Sequence, residues 1–169
     1  MNEELAAYIT RLCELSGHTT RIKKDLILVE PCEGYTDVYE AFTMVEEYYA
    51  FGYFERYSFG GPDFGSASFK IFKKFAIMHF AADIRAAHQL PPLNLPPVTD
   101  AHPGFSIEFH EPTSYLLTSK ASPIPKTFTT FSPAALLSLS YLMGTSSEDL
   151  LSLVLEPSGA GYAALYQQS

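Results

Sequence analysis

Five prolines fall within fourteen residues, at Pro91, Pro92, Pro96, Pro97 and Pro103. Each removes a backbone donor, and its ring clashes with a preceding helical turn, so residues 90–103 suit neither a helix nor an interior strand. This linker divides the chain into halves, 1–89 and 104–157. A length of 169 residues fits one domain. Either half alone would be marginally small, so residues 1–169 are expected to form a single domain.

In the first half, residues 2–16 read as a helix. Asn2 caps it, Leu5, Tyr8, Ile9, Leu12, Cys13 and Ser16 share one face, and Gly17 stops it. Segments 19–22 and 26–29 flank Lys23-Lys24-Asp25, a hairpin pattern, and Pro31 and Gly34 then break the chain. Over 37–49, Asp37 and Glu40 are spaced like a capping box. Val38, Phe42, Val45 and Tyr49 follow at helical spacing, which predicts a helix. Residues 50–59 alternate, with Phe51, Tyr53, Tyr57 and Phe59 on one side, which predicts a strand. Gly60-Gly61-Pro62-Asp63 predicts a turn, with 64–68 returning as a strand. Ser68 then caps a helix over 70–88, whose seam is Phe72, Phe75, Ala76, His79, Phe80 and Ile84.

The order recurs after the linker. Phe105, Ile107 and Phe109 alternate as a strand, Glu111-Pro112-Thr113-Ser114 turns, 115–119 returns and 127–131 adds a third strand. Ser132-Pro133 starts a helix that Gly144 ends, and Ser146 with Asp149 opens another, closed by Pro157. Strands followed by helices, without strict alternation, predict an α+β fold. Its antiparallel sheet carries helices packed on it and is built from two approximate strand-hairpin-helix halves.

Lys plus Arg is 11 and Asp plus Glu is 19, a net charge of −8. That balance argues against a nucleic-acid partner and against anionic membranes. No apolar stretch of about 18 residues occurs. Met1-Asn2-Glu3-Glu4 lacks the basic start of a signal peptide, so a cytoplasmic protein is expected. Cys13 reads as a small buried hydrophobe, and a Cys13–Cys32 disulfide is not expected in a reducing compartment.

The residues suggest no catalytic machinery. Gly60 to Gly65 lacks the lysine of a phosphate-binding loop and the GxGxxG spacing. His79 falls on the apolar seam, and the other histidines do not pair at ligand spacing. No GxSxG or SxxK occurs. No metal and no cofactor are therefore expected, and neither is an enzyme. The rival reading is a small hydrolase using His102 or His110 with a carboxylate.

One segment is unusual. Glu30, Glu33, Asp37, Glu40, Glu46, Glu47 and Glu55 occur with no lysine or arginine between them, and Tyr35, Tyr39, Tyr48, Tyr49 and Tyr53 fall in the same stretch. Tyrosine is enriched at interfaces, and acids around it steer a basic partner. Asp37, Glu40, Glu46, Glu47, Tyr48, Tyr49 and Tyr53 are thus candidate contacts to a partner protein that is basic at the contact. Gly61 and Asp63, at the expected hairpin tip, are the alternative contact. A solvated helix face with tyrosines beneath it fits the same residues.

Several short motifs also stand together. They are Gly-Tyr-Phe-Glu-Arg-Tyr-Ser-Phe over 52–59, then Lys74-Phe75 and Phe80-Ala81-Ala82-Asp83-Ile84-Arg85 in the helix over 72–85, then Leu90-Pro91-Pro92-Leu93. In this order they resemble the immunity proteins of bacterial polymorphic toxin systems. They are similar in particular to the antitoxin family that neutralises tuberculosis necrotizing toxin and related NAD-cleaving toxins. The likeness covers residues 1–95 and, less fully, the second half. It implies a cytosolic, non-catalytic protein that binds its cognate toxin domain and blocks the active site. Two alternatives stay open beside it: an acidic protein-binding adaptor, and an immunity protein against a nuclease toxin.

Overall fold

The computed structural model describes residues 2–30, 37–110 and 112–167. The break expected at Pro31 and Gly34, the residues Cys32, Glu33 and Tyr35, and Glu111 lie outside the described residues. Helix α1 (Glu3–Leu15) begins where Asn2 accepts from the Leu5 N–H at 2.9 Å, and it buries Leu5, Ile9, Leu12 and Cys13. Strands β1 (Thr19–Lys23) and β2 (Leu26–Glu30) pair across Lys24-Asp25, as their hairpin pattern predicts.

Residues 37–49 are not helical. Val38–Val45 forms β3 and Tyr48–Glu55 forms β4, joined at Glu46-Glu47 and paired from Val38↔Glu55 to Val45↔Tyr48. Val38, Glu40, Phe42 and Met44 satisfy strand alternation as readily as Val38, Phe42, Val45 and Tyr49 satisfy a helical spacing. The strand prevails because Phe42 meets Phe51 across the pair, ring to ring at 5.1 Å, with both side chains buried.

The expected strand over 50–59 is likewise divided. The chain reverses at Arg56-Tyr57, and β5 runs Ser58–Ser66. Both turn residues hold left-handed φ, 48° and 67°, which matches a two-residue turn to the twist of its strands. Gly60-Gly61-Pro62-Asp63 therefore makes no hairpin tip; it lies inside β5. There the register shifts on either side of Gly52, and Gly61 takes φ 112°. A Cβ on Gly52 would strike the Gly61 carbonyl, so glycine supplies a strand irregularity here, using the residue types that also make turns.

Ser68 caps helix α2 (Phe69–Ala87). After the linker come β6 (Phe105–His110), β7 (Ser114–Ser119) and β8 (Thr127–Thr130). Helices α3 (Ala134–Leu142), α4 (Ser147–Leu155) and α5 (Ala160–Ala164) follow, with a 3₁₀ turn at Leu165–Gln167. Helix α3 starts just after Pro133, and the Ala134 N–H donates to Ser132 Oγ. Ser146 caps α4 as expected, accepting from the Asp149 N–H.

The eight strands form one antiparallel sheet in the order β1-β2-β3-β4-β5-β8-β7-β6. The two halves meet where β5 pairs β8, with Phe64 opposite Thr129 and Ser66 opposite Thr127. The expected α+β class is the one observed. Phe72, Phe75, Phe80 and Ile84 of α2 are all buried, also as expected. They pack on Phe42, Phe51 and Phe64 of the sheet in one cluster that takes in residues of all five helices. A second, small cluster of Leu28, Ala41 and Phe54 contains no helical residue. Its members alternate with the first set along β2, β3 and β4, so they mark the opposite face, which no helix among the described residues covers.

Candidate functional site

The helix-free face is the open surface of the fold. Arg21 and Lys23 project onto it from β1. The Arg21 guanidinium lies 5.2 Å from the Tyr39 ring centroid, and the Lys23 ammonium 4.5 Å from that of Phe54 and 5.5 Å from that of Tyr57. With Arg56 and Asp37 they surround an open hollow of about 430 Å³. A second hollow of about 290 Å³ lies at the other end of β4, lined by Glu46, Tyr48, His110, Lys126 and Phe128 among others. Tyr48 meets Phe128 edge-on at 5.4 Å, and the Lys126 ammonium sits over both rings.

The candidate contact residues do not form one patch. Glu46 and Glu47 are exposed at the β3–β4 turn. Tyr48 stands beside them on the helix-free face, and Asp37 lines the hollow at the far end of β4. Glu40 points to the helix side, its Oε2 2.9 Å from His79 Nε2. Tyr49 is half-buried on that side too, stacked on Phe69 at 4.7 Å. Tyr53 and Asp63 flank His79 at an open edge of the helix layer. Burial, then the Glu40 and Asp63 carboxylates, raise the Tyr53 hydroxyl above its ordinary pKa. Thr130 donates to Asp63 at 3.3 Å, and Gly61 sits in β5 two residues before it. Alternation along two strands scatters what a helix would have gathered on one face.

His79 is ringed by Phe42, Phe51, Phe75 and Phe80, with Glu40 as its polar partner, as a core histidine on the seam should be. His110 and Glu46 share the second hollow with Ser114, but the Ser114 hydroxyl donates to the His110 carbonyl, not to its ring. His102 packs edge-on against Tyr141. Among the described residues no three His, Cys, Asp or Glu side chains are grouped to hold a metal. Burial pushes the Cys13 thiol up to about 12, so at neutral pH it is no nucleophile.

Two buried cations escaped the sequence reading. Lys74 Nζ donates to the Leu142 and Met143 carbonyls at the end of α3, over 3.1 and 2.5 Å. Arg85 donates to the carbonyls of Pro91, Val154, Glu156 and Pro157 over 2.6–3.1 Å, gathering the linker and the end of α4. Both stand at helix C-termini, where the dipole favours positive charge. Their signal in the sequence is two cations three helical turns apart in an otherwise apolar stripe.

A family model described as Immunity protein 61 matches residues 12–162. The chain belongs to this family. Membership in the immunity protein 61 family carries a toxin-inhibiting function, with a toxin protein as the partner. Among solved structures, Rv3902c from M. tuberculosis is similar, with a TM-score of 0.70 and 20% identity over 94% of this chain and 91% of that one. At that identity the likeness speaks for the fold. No curated protein sequence matches significantly. No helix among the described residues is long and apolar enough to cross a membrane.

Proposed function

We propose that this immunity protein is non-catalytic, acts in the cytoplasm as a single domain spanning 1–169, and occludes the active site of a cognate toxin that cleaves NAD. The observation that carries the reading is the family match over residues 12–162. The NAD-cleaving target is supported by the resemblance of the motifs over 52–59, 72–85 and 90–93 to antitoxins of such toxins. The helix-free sheet face is the contact surface. Exposed Glu46 and Glu47, with Tyr48 beside them, meet a basic region of the toxin. Tyr53, Gly61 and Asp63 lie outside this contact, and Glu40 and Tyr49 serve packing.

The test is co-expression with the toxin domain encoded beside this chain's gene. Growth should be rescued and a stable 1:1 complex recovered. A toxin that kills regardless of the chain refutes the reading. A neutralised toxin that degrades nucleic acid keeps the immunity function and refutes the NAD target, which is the outcome the nuclease alternative requires.

A further inference from the structure

The β4–β5 turn carries a feature that an acidic contact surface leaves unused. Tyr57 is 90% exposed and holds φ 67°. A bulky residue in the left-handed region is strained, and glycine or asparagine takes such a turn position more easily. Among the described residues, the Lys23 ammonium is what approaches the ring. Neighbouring Arg56 is exposed, also at left-handed φ, and has no carboxylate at ion-pair distance among the described residues. Lys23 has none either, and Arg21 pairs with Glu30 at 3.2 Å. In a chain of net charge −8, the described lining of this hollow holds three cations, Arg21, Lys23 and Arg56, and one carboxylate, Asp37, with Glu30 beside it on Arg21.

The opposite charge lies at the other end of the same face. Glu46 and Glu47 precede β4, and Arg56 and Tyr57 follow it. The strand between them has 8 residues, which at roughly 3.3 Å each separates the two ends by about 26 Å. The helix-free face therefore carries an acidic pair at one end of β4, with Lys126 nearby, and a hollow richer in cations than in carboxylates among the described residues at the other.

We infer that the hollow of Arg21, Lys23, Arg56 and Tyr57 receives an acidic segment of the cognate toxin, with Tyr57 as its anchoring ring. The inference rests on the immunity reading above. The partner is a protein surface because the cations lie spread over aromatic rings around an open hollow and do not converge on one point, as a small anion requires. Tyrosine and arginine are also the residues that most often dominate protein contacts. Tyr57 loses little side-chain entropy on binding, and its strained turn holds it out for contact. With acid at one end and base at the other, the toxin docks in a single orientation.

The experiment measures binding kinetics of the full chain with the toxin domain encoded beside its gene, at low and high salt, together with thermal midpoints. Tyr57→Gly should keep or raise the midpoint, since glycine relieves the turn, while dissociation becomes at least about tenfold faster. Lys23→Glu with Arg56→Glu should slow association about tenfold at low salt, and the difference should shrink at high salt. If the wild-type chain binds and both variants match its kinetics, the inference is overturned and the immunity reading stands. A Tyr57→Gly midpoint well below wild type also overturns it, because the ring is then structural. If the wild-type chain does not bind, both fall together.

Discussion

The guanidinium of Arg85 on α2 donates to the carbonyl of Val154 at the end of α4 over 2.7 Å, across 69 residues of sequence. Arg85 is 1% exposed, and its other acceptors are carbonyls as well. A buried cation satisfied by backbone alone is a structural device: it ties the proline linker and α4 to the central helix, and so fixes the helix layer under the sheet.

Removing that cation leaves several buried carbonyls without a donor. We expect Arg85→Met to cost about 3–5 kcal/mol, and Arg85→Lys at least about 2 kcal/mol, because an ammonium cannot reproduce the planar fork. Urea unfolding checks this through the midpoint at constant slope. A loss below about 1 kcal/mol for Arg85→Met contradicts the role.

Lys74 gives a pH dependence. Burial, and then the Lys70 charge, lower its pKa from 10.5 to about 8. Between those values the unfolded chain holds one proton more than the folded chain. Stability therefore rises with pH across that window, by at most about 1.4 kcal/mol per unit from this group. Below pH 8 Lys74 is charged in both states and its contribution is flat. Lys74→Met removes the slope, so the difference in urea midpoint between the two proteins should grow from pH 8 to pH 10. Parallel curves rule out this titration.

Phe75 stacks on Phe64 with ring centroids 3.8 Å apart and planes within 4°. We expect Phe75→Ala to cost about 3–5 kcal/mol in chemical denaturation, the usual loss for a buried ring. A loss under about 1 kcal/mol means the helix-to-sheet packing is misassigned.

Glu40→Gln separates packing from contact. The Glu40 and His79 side chains are 34% and 23% exposed, so solvent screens the pair and its loss should cost no more than about 1 kcal/mol. Toxin affinity should stay unchanged, because Glu40 faces the helices. A tenfold fall in affinity on a surface titration places Glu40 in the contact after all.

The parts of this fold legible in the sequence are those held by local repetition. Helix α2 repeats its apolar seam over 19 residues, long enough for the helical period to be unambiguous, and Phe72, Phe75, Phe80 and Ile84 are core as that period requires. Residues 37–49 were ambiguous because Val38, Phe42 and Val45 satisfy a helical spacing as readily as Val38, Glu40, Phe42 and Met44 satisfy alternation. The deciding contact, Phe42 with Phe51, lies on a neighbouring strand. Gly60 to Asp63 misled because turns and strand irregularities draw on the same residues. Lys74 and Arg85 were invisible as buried groups because most of their acceptors lie 68 to 72 residues away. On the helix-free face, a strand reading over 50–59 hid the turn that presents Arg56 and Tyr57, and charge counting drew attention to the acids and away from the few cations beside the rings.

The most direct test of an occluding immunity protein is the rate of NAD hydrolysis by the cognate toxin domain as this chain is titrated in. We expect the rate to fall to background at one equivalent, and raised NAD to slow formation of the complex, because both compete for the same cleft. Undiminished hydrolysis in a complex saturated with the chain would contradict occlusion.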